Sequence, residues 1–504
     1  MTTPEPADVV GVVFPAADGR RSSLTTGRAV FADAVTRVDT ALATDFLREP
    51  NWRKHYHRHV RTLTHLSARS SVYSSRIARD GLDAVARRMR FVRDGVEIDL
   101  ATAMTLADPD RFGTHVVAGG GSTSGLAPLT VPYRGQRLEG DALRRQLDRW
   151  VADGIAEPGF AASLAAVIDH PEWLDLSDLS FVLLGAGAEL SPLTALLRGG
   201  ATVAAIDVPR AAMWQRLIRS ARRSPGRLLL PVSHSDRHDL SDAELADVAG
   251  LDLVTHTPEA ARWIGSLSGP LILGSYVYAL GAEHVRATTA VDAIIKRLIA
   301  RRSDLALAFL ATPTDVYAVP VGAVEMSQAR YLNRSRSAIA LAGLSAHRLF
   351  RPQYDGADVG VDGGEFGLSD VLVEQQGPNY ALAVRMQRWR AMDARIHGVG
   401  VSVNVAPPTN THSVTRNRLL AMAYRGAPAF GVEVFEPATT RALMSALLVH
   451  DLRSPTSYAR PDTELTHDWQ LFAHAANHGG LWRVAFEPRS VLSLAVARGA
   501  LHKT

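Results

Sequence analysis

An α/β fold built on a doubly wound parallel sheet is what this sequence predicts, and three observations carry the prediction. Between residues 176 and 325, short apolar runs alternate with stretches long enough to cross over a sheet. One of these runs leads into Gly185-x-Gly187, then into a helical stretch, a second apolar run and an acid. The flanking chain has a different texture, mainly helical over 1–175 and mixed α/β over 326–504.

Taken in order, Phe31, Val35, Val38 and Leu42 recur at helical spacing, as do Leu143, Leu147, Trp150 and Val151. Between these helices, His115-Val-Val-Ala118 reads as a short strand running into the glycine-rich loop Gly119–Gly125. No helix start follows that loop, so a simple connection is expected rather than a phosphate cradle. The core strands are predicted at Phe181–Leu184, Thr202–Ile206, Arg227–Pro231, Leu251–Thr255, Leu271–Leu273 and Leu305–Leu310. Tyr380–His397 is predicted as an amphipathic helix. Gly400–Val405 follows as a candidate seventh strand, and helices are expected at Arg441–Leu452 and Trp469–Asn477.

Composition narrows the chemistry. The chain has 504 residues, 46% apolar and 21% charged, which is a globular composition and long enough for two or three packed units. Fifty-five basic residues against 51 acidic ones leave +4, so nucleic-acid binding is not expected. There is no cysteine, which excludes disulfides, thiolate metal sites and cysteine nucleophiles. The N-terminus lacks the form of a signal peptide and no run of eighteen apolar residues occurs. A cytoplasmic protein without a membrane span is therefore the expectation, and a homo-oligomer is left open. Only three lysines, Lys54, Lys296 and Lys503, accompany 52 arginines. None completes a Gly-x-x-x-x-Gly-Lys loop, and His-Glu-x-x-His and Gly-x-Ser-x-Gly are absent.

The segment Ser180–Asp207 carries most of the functional information. Gly185 allows a tight turn after the strand, and Gly187 lets the backbone approach a pyrophosphate. A helix starting near Glu189 would offer free N–H groups and its positive dipole end. Asp207, 22 residues after Gly185, is placed to accept ribose hydroxyls. A third glycine is missing, with Leu190 in its place.

The continuation, Leu228-Leu-Leu-Pro-Val-Ser-His-Ser-Asp236 and Asp239 through Thr257, is similar to the extended short-chain dehydrogenase/reductase family. The resemblance covers about residues 178 to 320. It implies a Rossmann-like core, a nicotinamide dinucleotide, and a fourth strand at Gly250-Leu-Asp-Leu-Val254 that puts Thr255 beside the cofactor. It also implies a Tyr-x-x-x-Lys pair, in which lysine lowers the tyrosine pKa. That pair is absent: Pro50, Asp292 and Gly499 stand four residues before the three lysines. By register, the helix His284–Leu298 puts His284 and Thr288 at those two positions.

Candidate proton-transfer groups are Ser275 and Tyr278, after the strand at Leu271, together with His284. Packing roles for the tyrosines are the alternative. Thr312-Pro-Thr-Asp315 would face the nicotinamide end, and Asn404–His412 would form a substrate wall, or Thr411 or Ser413 would cap a helix there. His55, His57 and His59 read as a solvated basic helix face. No metal site is expected: His474 and His478 could share an ion on one helix, but no third ligand is evident.

These features predict an NAD-dependent oxidoreductase, with NADP compatible because Arg210 follows Asp207, acting on a small-molecule carbonyl or alcohol. Two other readings fit the same strand, glycine loop and acid. One is an S-adenosylmethionine-dependent methyltransferase, although Leu183 and Leu184 stand where that family usually has an acid. The other is a non-catalytic dinucleotide-binding scaffold.

Overall fold

The computed structural model describes residues 10–106, 111–121, 128–233 and 240–501. Seven strands form its central sheet: β1 (Phe112–Ala118), β2 (Ser180–Leu184), β3 (Thr202–Ile206), β4 (Arg227–Ser233), β5 (Leu271–Ser275), β6 (Leu305–Ala311) and β7 (Val401–Val405). Their spatial order is β7-β6-β5-β2-β3-β4-β1. β2 to β7 are parallel, and β1 closes one edge antiparallel to β4. From β2 onward, the parallel strands follow the order third, second, first, fourth, fifth, sixth, which is the doubly wound dinucleotide order. The chain reverses direction between β2 and β5, so the topological switch point lies there.

Runs such as Ser180-Phe-Val-Leu-Leu184 form strands because both faces are covered by helices and alternation is not required. One face receives α7 (Ala282–Ile299) and α8 (Pro378–Ile396), packed against Val182, Leu273 and Leu307. The other receives α5 (Leu193–Arg198), α6 (Ala211–Arg222) and α9 (Pro437–Arg453), packed against Leu183, Val203 and Ala308. The N-terminal helices α1 (Ser23–Thr36), α2 (Thr40–Arg48), α3 (Trp52–Ala68) and α4 (Ser71–Arg88) lie outside α7 and α8 and extend that core. A Cβ on Gly81 of α4 would come within 2.4 Å of the Trp389 ring on α8, so a glycine is required at that crossing.

Buried ion pairs fix α8. Arg385 and Arg388 both bond Asp315, at 3.0 and 2.7 Å, and Arg390 bonds Asp292 of α7 at 2.7 Å. A second buried group joins Glu157, His478 and Arg483, tying the Pro158–Asp169 helix to the C-terminal region.

Two expected elements differ. Leu251–Thr255 is a turn, not a strand, because the Asp252 carboxylate accepts the N–H groups of Val254 and Thr255 and bends the chain. Only Gln470–Ala473 of the expected Trp469–Asn477 helix is helical. His474 and His478 therefore do not share a helix, and His478 is engaged by Glu157. The expected seventh strand is present as the sheet edge β7.

Candidate functional site

The carboxyl ends of β2, β5, β6 and β7 converge at the switch point, and the loops leaving them carry the polar residues. β6 ends in Thr312-Pro-Thr-Asp315. α8 begins after Gly377, with Pro378 in its first turn, which is a favourable start. That start brings Tyr380 onto the β6 loop. The Tyr380 hydroxyl donates to Thr312 Oγ1 at 2.8 Å and lies 3.1 Å from Thr314 Oγ1. The two threonine hydroxyls are themselves 2.8 Å apart. Gln376 Nε2 donates to Thr314 Oγ1 at 2.9 Å, and the turn before it is held by Tyr56 of α3, whose hydroxyl donates to Val373 O.

His284, in the first turn of α7, faces this cluster. Its ring centroid lies 6.2 Å from that of Tyr380 and 5.1 Å from that of Tyr278. Burial leaves His284 5% exposed and lowers its pKa to about 4, so the imidazole is neutral at physiological pH. Burial also raises the pKa of Tyr380 well above the ordinary tyrosine value, opposed by the Thr312 and Thr314 hydroxyls. The phenol is therefore a proton-bearing group, not a phenolate.

Ser275 and Tyr278 come out differently from one another. Tyr278 is 53% exposed at the rim. Ser275 is 1% exposed, and its hydroxyl has no hydrogen-bond partner. Thr288, one helical turn after His284, is in the same condition at 2% exposure. Ser275 and Thr288 are thus buried with no protein partner for their hydroxyls. Sequence reading missed Tyr380 and Gln376. The available signals were the Gly-Pro helix start at 377–378 and the threonine pair at the end of a strand.

The glycine loop is positioned as expected but organised differently. Gly185 takes φ +80° directly after β2, and a Cβ there would lie 2.9 Å from the Tyr276–Val277 backbone. The loop amides bond inward: those of Gly185 and Ala186 donate to Ile206 O, and that of Gly187 donates to Asp207 Oδ2 at 2.8 Å. Asp207 Oδ1 accepts from Val208 N–H, and burial raises the carboxyl pKa. Met213 covers Gly187, its sulfur 2.1 Å from where a Cβ would stand. The helix expected near Glu189 starts at Leu193, because Ser191-Pro192 extends the turn, and it has only six residues. The Glu189 carboxylate instead accepts His412 N–H at 2.8 Å, taking the capping role expected of Thr411 or Ser413. Thr255 lies away from the loop, beside Gly11 of the Gly11–Val13 strand, with its hydroxyl 2.9 Å from His256 Nδ1.

These residues fit the ribose of a nucleotide cofactor. A ribose diol can accept from Gly187 N–H and donate to Asp207, exchanging one hydrogen bond for two, once the Met213 side chain swings aside. The Gly185 and Ala186 amides are engaged by Ile206 O, so a diphosphate would have to be held by other groups than these two. The void beside Leu190, Pro192 and Tyr276 measures about 10 Å³, room for one water. The second glycine-rich segment is also inward-bonded: Gly120 and Gly121 N–H groups donate to Arg222 O and Ser224 O, and Ser122–Gly125 lie outside the described residues. Asn404 turns toward Ser402 and Asp451, away from the Tyr380 cluster.

No family model matches the chain, and no curated protein matches it. Among solved structures, a similar one is the terminal R domain from the myxalamid PKS-NRPS biosynthetic pathway. It shares 14% identity over 53% of this chain and 61% of that one, with a TM-score of 0.28. The alignment spans less than two thirds of that domain, and a likeness at this level carries no argument about fold or activity.

Proposed function

We propose that the protein is an oxidoreductase that reduces a small carbonyl compound with a nicotinamide nucleotide, NAD or NADP. The observation that carries the reading is the Tyr380–Thr312–Thr314 hydroxyl triangle beside neutral His284. It sits at the carboxyl end of a parallel sheet in dinucleotide order. The chemistry such a cofactor supplies is hydride transfer. Asp207 and the Gly187 amide would hold its ribose. Tyr380 would donate its proton to the carbonyl oxygen as the carbon is reduced, and its oxygen, held by Thr312 and Thr314, would regain a proton from water. Tyr380 lies on α8 and not on α7, where the register puts the family's pair, and Val384 four residues after it supplies no cation. Without a cation beside it the tyrosine keeps its proton at physiological pH.

The inward-bonded amides favour one alternative specifically. S-adenosylmethionine carries a ribose and no diphosphate, so the same Asp207–Gly187 pair serves it. Calorimetric titration with NADH, NADPH and S-adenosylmethionine in parallel separates the readings. Micromolar binding of a reduced nicotinamide nucleotide, about −8 kcal/mol, supports the reductase. Binding of S-adenosylmethionine alone replaces it with a methyltransferase, and no binding by any of the three leaves a non-catalytic scaffold.

A further inference from the structure

The first turn of α3 carries two cations, Arg53 and Lys54, and no acid, and Asn51 at the cap position makes no side-chain cap bond. Glu49, just before the helix, accepts the Asn51 N–H and is taken up by His55 and His59, leaving Arg53 and Lys54 without it. Cations at a helix N-terminus are unfavourable, and an uncapped first turn leaves backbone N–H groups without partners. This turn opens on a cleft of about 490 Å³, within the size range of small-molecule sites. The first turn of α1, at Leu24 and Thr25, lines the same cleft and also carries no acid. Arg28 adds a third cation, its Nη1 donating only to the Glu49 carbonyl oxygen. Among the described residues, none of Arg28, Arg53 and Lys54 is ion-paired with a carboxylate. Trp52, which lines the cleft, is nearly fully buried, and its indole N–H has no partner. Glu374 is the one carboxylate in the lining.

We propose that this cleft is a binding site for a phosphate-bearing small molecule, separate from the Tyr380 cluster. A phosphate among Arg28, Arg53 and Lys54 would offset the two cations in the first turn of α3 and accept charge-assisted hydrogen bonds from all three side chains. Leu24, Pro50 and Trp52 supply an apolar wall for the organic part of such a ligand. Glu374, also in the lining, suits a hydroxyl or amino group of that part. The three cations, two of them arginines, match a multiply charged phosphate better than a single carboxylate.

The sparse lysines provide a direct test. Lys54 lies in the cleft, and Lys296, which faces Asp83 at 3.6 Å, serves as an internal control. The full chain is acylated with an amine reagent in the presence of inorganic pyrophosphate, adenosine monophosphate or citrate, and each lysine is quantified by mass spectrometry. At a tenfold excess over Kd, the two phosphates slow acylation of Lys54 about tenfold and leave Lys296 unchanged. Equal protection by citrate overturns the phosphate assignment, and no protection by any ligand overturns the site. Lys54→Glu should abolish adenosine monophosphate binding yet raise the melting temperature of the free protein, because it removes a cation from a helix start. A variant that is merely misfolded would melt lower. Asp207→Ala leaves the protection intact; if it abolishes protection, the phosphate sits at the glycine loop and the inference falls.

Discussion

Asp315 is the anchor of the candidate site, and its removal should cost more than removal of either arginine it holds. The carboxylate is fully buried, and each oxygen accepts from a different guanidinium of α8. Arg388 also donates to Val316 O at 2.8 Å and stacks on Tyr317 and Phe472. The arrangement places two buried cations on one buried anion. Burial lowers the pKa of Arg385 to about 10, against the opposing pull of Asp315. Asp315→Asn strands both cations, and breaking a buried pair costs about 3–5 kcal/mol. Arg385→Met leaves a one-to-one pair between Asp315 and Arg388 and removes the excess charge, so it should cost about 1–2 kcal/mol. Urea unfolding followed by tryptophan fluorescence reads the order of the midpoints. If Arg385→Met unfolds at lower urea than Asp315→Asn, the account of charge imbalance is wrong.

The other expectations concern the site itself. Tyr380→Phe should cost only about 1 kcal/mol, because Thr312 and Thr314 keep each other and Gln376; it should lower carbonyl reduction by about 10²-fold or more, measured as kcat. Full activity would remove Tyr380 from the chemistry. Asp207→Ala should weaken binding of a ribose-bearing cofactor, and Met213→Ala should strengthen it by clearing Gly187; calorimetry that finds neither change would displace the cofactor from this loop. His57 and His284 both have pKa values lowered to about 4 by burial. Between pH 6.5 and 4 the unfolded chain binds more protons than the folded one, so stability should fall with pH by up to about 1.4 kcal/mol per unit for each histidine. His57→Leu should flatten the slope of melting temperature against pH over that window, and an unchanged slope would contradict the assignment.

His57 also marks the limit of reading a local pattern. Its helix looks like a solvated basic face, yet His57 is buried, and His55 and His59 both lie against Glu49, at 3.0 and 3.2 Å. Helical periodicity reports which residues share a face. It does not report that α3 is itself covered by the 373–377 turn.

The strand pattern, the Gly185 turn and the placement of Asp207 beside Gly187 were determined by the sequence alone, because they depend on apolar runs, backbone freedom and short-range spacing. Val401–Val405 could likewise be read as a strand, although not as the edge beside β6 with certainty of register. Tertiary structure decided the rest. Asp252 turned an apolar run into a bend, since one carboxylate two and three residues from its N–H partners outcompetes a ladder that has no neighbour. The glycine loop faces inward because the Gly185 and Ala186 amides donate to Ile206 O and the Gly187 amide to Asp207. Tyr380 met Thr312 across 68 residues because α8 was pinned by Asp315. Hydrogen bonds and ion pairs between distant segments have no period in the sequence, and they, rather than the motif, determine which polar groups are left to act.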